Sequence, residues 1–133
     1  MKQSVVEFNT GDSLEVILEP VSRMDLIKYS GASGDFNPIH TIDEEAIKAG
    51  LPGIIAHGMW TMGNLAKLFT PYYEEGFIQD FKIRFAGMVF LNDVIKLKAI
   101  LEEDTEEFSD FIVKAVNQND KEVIKGNIRF LKY

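Results

Sequence analysis

Between His57 and Phe69 the chain carries one charged side chain, Lys67, in a run whose residues favour a helix. Met59, Trp60, Met62, Leu65, Leu68 and Phe69 are spread around such a helix, not gathered on one side. A helix that is apolar nearly all round has to be buried, so the rest of the chain must wrap it. Pro71 stops the run. From Phe77 onward the apolar period falls to two: Phe81, Ile83 and Phe85 alternate with Lys82 and Arg84. The same alternation returns around Ile95–Ala99, Phe111–Ala115 and Ile124–Phe130, with turn-like residues at Asn92-Asp93, 102–107 and 117–120 between the runs. Alternation at this period marks strands with one solvated face, here read as an antiparallel meander. A buried helix and a sheet curled around it make an α+β arrangement. An open sheet of this kind leaves an edge for a second copy, so a dimer is expected.

The N-terminal half is read as shorter pieces. Val5–Phe8 and Leu14–Leu18 are expected as strands around the turn Asn9-Thr10-Gly11-Asp12. Ser22 with Asp25 has the spacing of a capping box, so a helix should begin there and dissolve at Ser30–Gly34, where two glycines occur. Thr41 with Glu44 predicts a second capped helix over Asp43–Ala49, ended by Gly50 and Pro52. No repeat or linker interrupts the 133 residues, so residues 1–133 are expected to form one domain.

The net charge of −7 argues against a nucleic-acid partner, because such binding is dominated by Lys and Arg meeting phosphates. There is no cysteine, which removes disulfides, thiolate chemistry and Cys-based metal sites. No window holds the roughly 20 apolar residues of a membrane span, and the first residues lack a signal-peptide core. A cytoplasmic location without membrane attachment is the expectation.

The chain has two histidines, His40 and His57, both among glycines and turn residues. On spacing alone, Gly34-Asp35-Phe36-Asn37-Pro38-Ile39-His40 reads first as a turn, since Gly-Asp and Asn-Pro favour turns. The functional reading is a general acid/base pair. Water is a poor nucleophile and hydroxide a poor leaving group, and a carboxylate with an imidazole around one water supplies the proton transfers. His57 stands where the buried helix starts, a place for capping or packing. Gly58 follows it. The first N–H groups of a helix lack intrahelical acceptors, and glycine lets a ligand oxygen come close to the backbone. Met59, Trp60, Met62 and Phe69 read as core, with some able to line an acyl tunnel as well. Lys82 and Arg84 read as a solvated strand face. Asp35, His40 and His57 have no His-x-His or His-x-x-x-His spacing, so no metal is expected.

The stretch Ser33–His40 resembles the signature of MaoC-like dehydratases, Gly-Asp-x-Asn-Pro-hydrophobic-His, a family that includes the (R)-specific enoyl-CoA hydratases. The block Gly50–Met59, followed by Thr61 and Met62, is similar to a second part of that family. So are Phe81–Phe85 and Val89–Asp93, and the likeness runs over roughly residues 14 to 101. The resemblance implies a hot-dog fold, a sheet wrapped around the helix that starts at His57, and a dimer with sites in a tunnel near the subunit interface. It implies that Asp35 and His40 activate the water, that the Gly58 N–H binds the thioester oxygen and that Asn37 supports the site. Asn37, His57, Gly58 and Met59 are thus the expected substrate-binding residues.

The implied reaction is reversible syn hydration of a trans-2-enoyl thioester to the (3R)-hydroxyacyl thioester, with no cofactor. The acyl group would be carried by CoA or by acyl carrier protein. The partner would be a second copy, or a different hot-dog subunit. Two other readings stand beside this one. A hot-dog thioesterase would need a carboxylate on or beside the central helix, and none occurs between Met59 and Phe69. A non-catalytic acyl-thioester-binding subunit would lack Asp35 or His40.

Overall fold

The structure is a computed structural model and describes residues 4–133. Among these residues five strands form one antiparallel sheet: β1 (Ser13–Ile17), β2 (Gly76–Phe85), β3 (Lys96–Asp104), β4 (Phe108–Val116) and β5 (Glu122–Lys132). Three helices lie between β1 and β2: α1 (Arg23–Ser33), α2 (Asp43–Lys48) and α3 (Gly58–Leu65). The sheet order is β1-β3-β4-β5-β2. Only β3, β4 and β5 form a meander, because β2 pairs with β5 rather than with its sequence neighbour β3. The chain between β2 and β3, residues 86–95, therefore crosses over to the far side of the meander. Close approach holds β2 against β5: a Cβ on Gly126 would lie 2.0 Å from the Lys82 carbonyl oxygen.

The alternation read in the sequence is the alternation in the sheet. Leu97, Ala99, Phe111, Val113, Ile128 and Phe130 are buried on its inner side. There Phe69, just beyond α3, sits edge-on to Phe111 at 5.0 Å and stacks near Phe130 at 6.0 Å. This is the α+β hot-dog arrangement, with α3 lying against β3 and β4 and the sheet left unclosed.

Local departures have local causes. Val5–Glu7 is a 3-10 turn, not a strand. The Val5 N–H donates to the Glu75 carboxylate, as does the Ser4 hydroxyl, so this segment's donor is satisfied without a strand partner. The capping box at Ser22 and Asp25 forms as expected. However, α1 continues through Gly31 to Ser33 and stops at Gly34, whose φ of +79° suits glycine. Burial of Leu26 and Ser30 on its inner side outweighs the roughly 1 kcal/mol that glycine costs a helix.

The capping box at Thr41 does not form, because Thr41 closes a 3-10 turn over Pro38–His40 and α2 starts from Ile42. Arg23 ties that junction instead, donating to the Thr41 carbonyl and pairing with Asp43. The central helix is shorter than expected, giving way to 3-10 turns at Ala66–Leu68 and Thr70–Tyr72. It is also buried on one side only: Thr61, Asn64 and Leu65 point inward, while Met59 is 54% exposed. Among the described residues no helix is long and apolar enough to cross a membrane.

Candidate active site

The loop from α1 to α2 is shaped by its own short polar side chains. The Asp35 N–H donates to Ser33 Oγ, the Asn37 N–H to Asp35 Oδ1 and the Ile39 N–H to Asn37 Oδ1, at 3.1, 3.1 and 3.2 Å. Each acceptor takes the N–H two residues on, the habit that makes Asp, Asn and Ser turn formers. The turn reading and the site reading of this segment therefore describe the same loop. Asp35 stays exposed, with one carboxylate oxygen engaged in the turn. The 3-10 turn over Pro38–His40 then swings His40 inward, to 7% exposure.

A second segment meets this loop from the other side. Ile55 forms a bridge to Phe90, and its N–H donates to the Ile39 carbonyl at 3.2 Å. The Ile55 carbonyl accepts from His40 Nδ1 at 2.7 Å. A carbonyl can only accept, so the Nδ1 carries the proton and the neutral His40 ring keeps its lone pair on Nε2.

His57 is 2% exposed and lies against His40, with ring centroids 3.8 Å apart and planes 23° from parallel. Tyr29 of α1 meets the His57 ring edge-on at 4.8 Å. His57 Nε2 donates to the Asp35 carbonyl at 3.2 Å, with Ser30 Oγ at 3.1 Å from the same nitrogen. Among the described residues its Nδ1 is buried without a partner. Burial pushes the His57 imidazole below its ordinary pKa. The bond to the Asp35 carbonyl resists that fall, nearby His40 adds to it and the Asp35 carboxylate opposes it.

These groups open into a cleft of about 480 Å³ lined by Tyr29, Ser33, Asp35, His40, His57, Gly58, Met59 and Phe85. Of the residues expected at the site, Asn37 alone is not in this lining; its carbonyl oxygen is spent on the loop. Gly58 opens α3, and the preceding His57 gives no side-chain cap. The first N–H groups of the helix thus have no acceptor within it. A Cβ on Gly58 would come within 2.8 Å of the Phe85 ring, so glycine here lets the end of β2 close on the start of α3. Beyond Phe85 a smaller apolar slot of about 170 Å³ continues between Thr61, Met88 and Ile124.

Tyr29, Ser30, Ser33 and Phe85 are lining or supporting residues that the sequence reading did not single out. Tyr29 and Ser33 lie four apart on α1, one helical turn, a spacing that could have paired them had the helix been carried through Gly31. Phe85 carries no such signal, since its alternation marks it only as core.

Ligating atoms of Asp35, His40 and His57 lie within 4.8 Å of one another. The two imidazoles are stacked, however, so their in-plane lone pairs do not converge on one ion at the roughly 2.0–2.1 Å that a metal–nitrogen bond needs. The arrangement suits a water between a carboxylate and an imidazole better than it suits a cation.

A family model described as the MaoC like domain matches residues 7–123. Over 93 residues the chain is 39% identical to the fatty acid synthase beta subunit TOXC of Cochliobolus carbonum, a match covering 68% of this chain and 4% of that protein. Over 110 residues it is 26% identical to the mitochondrial 3-hydroxyacyl-[acyl-carrier-protein] dehydratase of Arabidopsis thaliana, covering 79% of this chain and 66% of that one. The chain thus spans a twentieth or less of the Cochliobolus relative's length. Among solved structures, the R-hydratase PhaJ1 of Pseudomonas aeruginosa superposes with a TM-score of 0.88 at 23% identity, over 96% of this chain and 83% of that chain. That likeness carries the fold.

Proposed function

The chain belongs to the MaoC-like domain family, and from that premise we propose that it reversibly hydrates enoyl thioesters to (3R)-hydroxyacyl thioesters. The observation that carries the reading is the meeting of the Asp35 carboxylate and the His40 imidazole within 4.8 Å at one cleft. The uncapped start of α3 forms another part of its wall.

In the hydration direction a water lies between Asp35 and His40 Nε2. Its oxygen bonds to C3 as it gives a proton to the pair, and the C2=C3 π electrons move toward the thioester carbonyl. The oxygen then carries enolate charge, which the Gly58 N–H stabilises at the positive end of α3. The proton held by the pair passes to C2 and the carbonyl re-forms. The C3–O and C2–H bonds are made on the face where the pair stands, so the addition is syn. His57 supports His40 from behind, Met59 borders the acyl group and Asn37 holds the loop that presents Asp35.

No carboxylate occurs on α3 to serve a thioester-hydrolysing mechanism. The reading takes residues 1–133 as one domain working as a cytoplasmic homodimer on acyl groups carried by CoA or acyl carrier protein. Incubation with crotonyl-CoA tests it: the enoyl absorbance should fall, the product should be the (3R) enantiomer, and Asp35→Asn should abolish turnover while the protein stays folded. Release of free CoA without hydration would overturn it in favour of thioester hydrolysis.

A further inference from the structure

The register of the sheet brings four cations into one row across its outer face. Arg84 of β2 stands opposite Lys125 of β5, Lys125 opposite Lys114 of β4, and Lys114 opposite Lys98 of β3. With neighbouring strands about 4.8 Å apart, the row spans about 14 Å. Lys98 is neutralised by Glu15 at 3.2 Å, and Lys82, one pleat along from Arg84, by Asp80 at 3.5 Å. Among the described residues Arg84, Lys125 and Lys114 form no ion pair.

Like charges directly opposite each other destabilise a sheet. This row stands in a chain with 21 acidic and 14 basic residues, where a carboxylate would be the commoner neighbour. Cations on an edge strand often serve to block aggregation, which would account for Lys82 and Arg84 on β2. It does not account for Lys125 and Lys114, which lie on inner strands. A local arrangement that lowers stability and has no structural return marks a functional surface.

The row ends one residue from the wall of the candidate active site. Arg84 immediately precedes Phe85, whose ring closes on Gly58. Lys121 continues the positive charge around the end of β5, its Cε 3.4 Å from where a Gly87 Cβ would lie. Gly87 lines the apolar slot beyond Phe85. Lys82, Arg84 and Lys125 also border an open hollow of about 430 Å³, which leaves Lys114 outside it. A single phosphate could neutralise one end of this row. Unpaired cations on three adjacent strands of a pleated face match an extended anionic surface instead, as charge-complementary protein interfaces do.

We infer that the face carrying Arg84, Lys125 and Lys114 docks the acidic surface of a protein carrier that delivers the acyl thioester to the cleft. This rests on the enoyl-thioester reading above. The carrier's attached arm would pass around the Phe85 end of β2, from the cationic face to the start of α3.

The test compares the whole chain with its Lys114→Glu/Lys125→Glu variant on crotonyl groups linked either to CoA or to an acidic acyl carrier protein. Electrostatic steering changes association rates by about 10- to 10³-fold. The KM for the carrier-linked substrate should therefore rise about tenfold or more, with kcat retained and the crotonyl-CoA KM unchanged. Raising the salt from about 0.1 M to 1 M, which shortens the screening length about threefold, should bring the wild type toward the variant. An equal rise for both substrates would place the phosphates of CoA on the row and overturn carrier docking, as would no change for either. A fall in sedimentation mass of the variant without carrier would reassign the face to self-association. A Lys114→Gln/Lys125→Gln variant with a matching melting temperature guards against misfolding. Should neither thioester be hydrated, the enoyl-thioester reading fails on its own. Direct titration of the crotonyl-carrier then decides the docking surface: tight binding lost in the variant supports it, and no binding overturns it.

Discussion

Asp35 makes two kinds of contact that substitution can separate. One oxygen accepts the Asn37 N–H, a bond that an amide oxygen can also accept, so Asp35→Asn should keep the loop while removing the base. Activity should fall by about 10²–10⁴, read as kcat with crotonyl-CoA, with little change in melting temperature. His57 behaves differently because it is buried and its pKa is depressed. Unfolded, the imidazole takes a proton as the pH falls below its ordinary value near 6.5; folded, it resists until lower pH. The stability that neutral His57 allows is thus fully present above that ordinary value and is lost as the pH falls through the folded value. Thermal melts between about pH 7 and pH 5 should show this decline, and His57→Gln should flatten it. An unchanged slope in the variant would mean that His57 is not the titrating group.

At the scale of elements, two glycines give opposite expectations. Gly126 faces backbone, with its Cβ position 2.0 Å from the Lys82 carbonyl and 2.7 Å from the Ile83 Cα. Gly126→Ala should cost about 3 kcal/mol, the upper end of ordinary overpacking, read as a drop in melting temperature of about 10 °C. Gly58 faces the Phe85 ring, which is 52% exposed and able to swing. Gly58→Ala should leave the melt nearly unchanged and lower kcat/KM, because the moved ring reshapes the cleft. The strands were legible in the sequence because burial on one side alone sets a period of two, as Phe111, Val113 and Ala115 show. Their order was less so: nothing in Phe81–Phe85 announces that β2 skips past β3 to lie beside β5. The helix ends failed where tertiary contacts decided them, Leu26 and Ser30 carrying α1 through Gly31, and Arg23 and the Pro38 turn displacing the cap from Thr41. Of the candidate site, Asp35, His40 and Gly58, which meet at one cleft, were singled out from local motifs. The His40–His57 stack was not, because it forms only when segments 17 residues apart fold together.

The whole molecule presents β1 and β2, among the described residues, as free sheet edges, and β2 exposes Phe77 and Phe85 at 45% and 52%. Unpaired edges with apolar side chains favour pairing with another chain. Sedimentation should accordingly give twice the chain mass, falling toward the single chain on dilution; a single-chain mass at every concentration would oppose the homodimer.

That β2, among the described residues, is held by β5 alone also bears on how the molecule opens. Its ladder is bonded along one side, while β4, between β3 and β5, is bonded along both. The wall that Phe85 gives the cleft therefore belongs to one of the sheet's least protected elements. In deuterium the amides of β2 should exchange well before those of β4, through partial openings that leave the meander intact. The cleft would then come apart and re-form many times for each global unfolding, and any partner that covers this edge would slow that breathing as it binds.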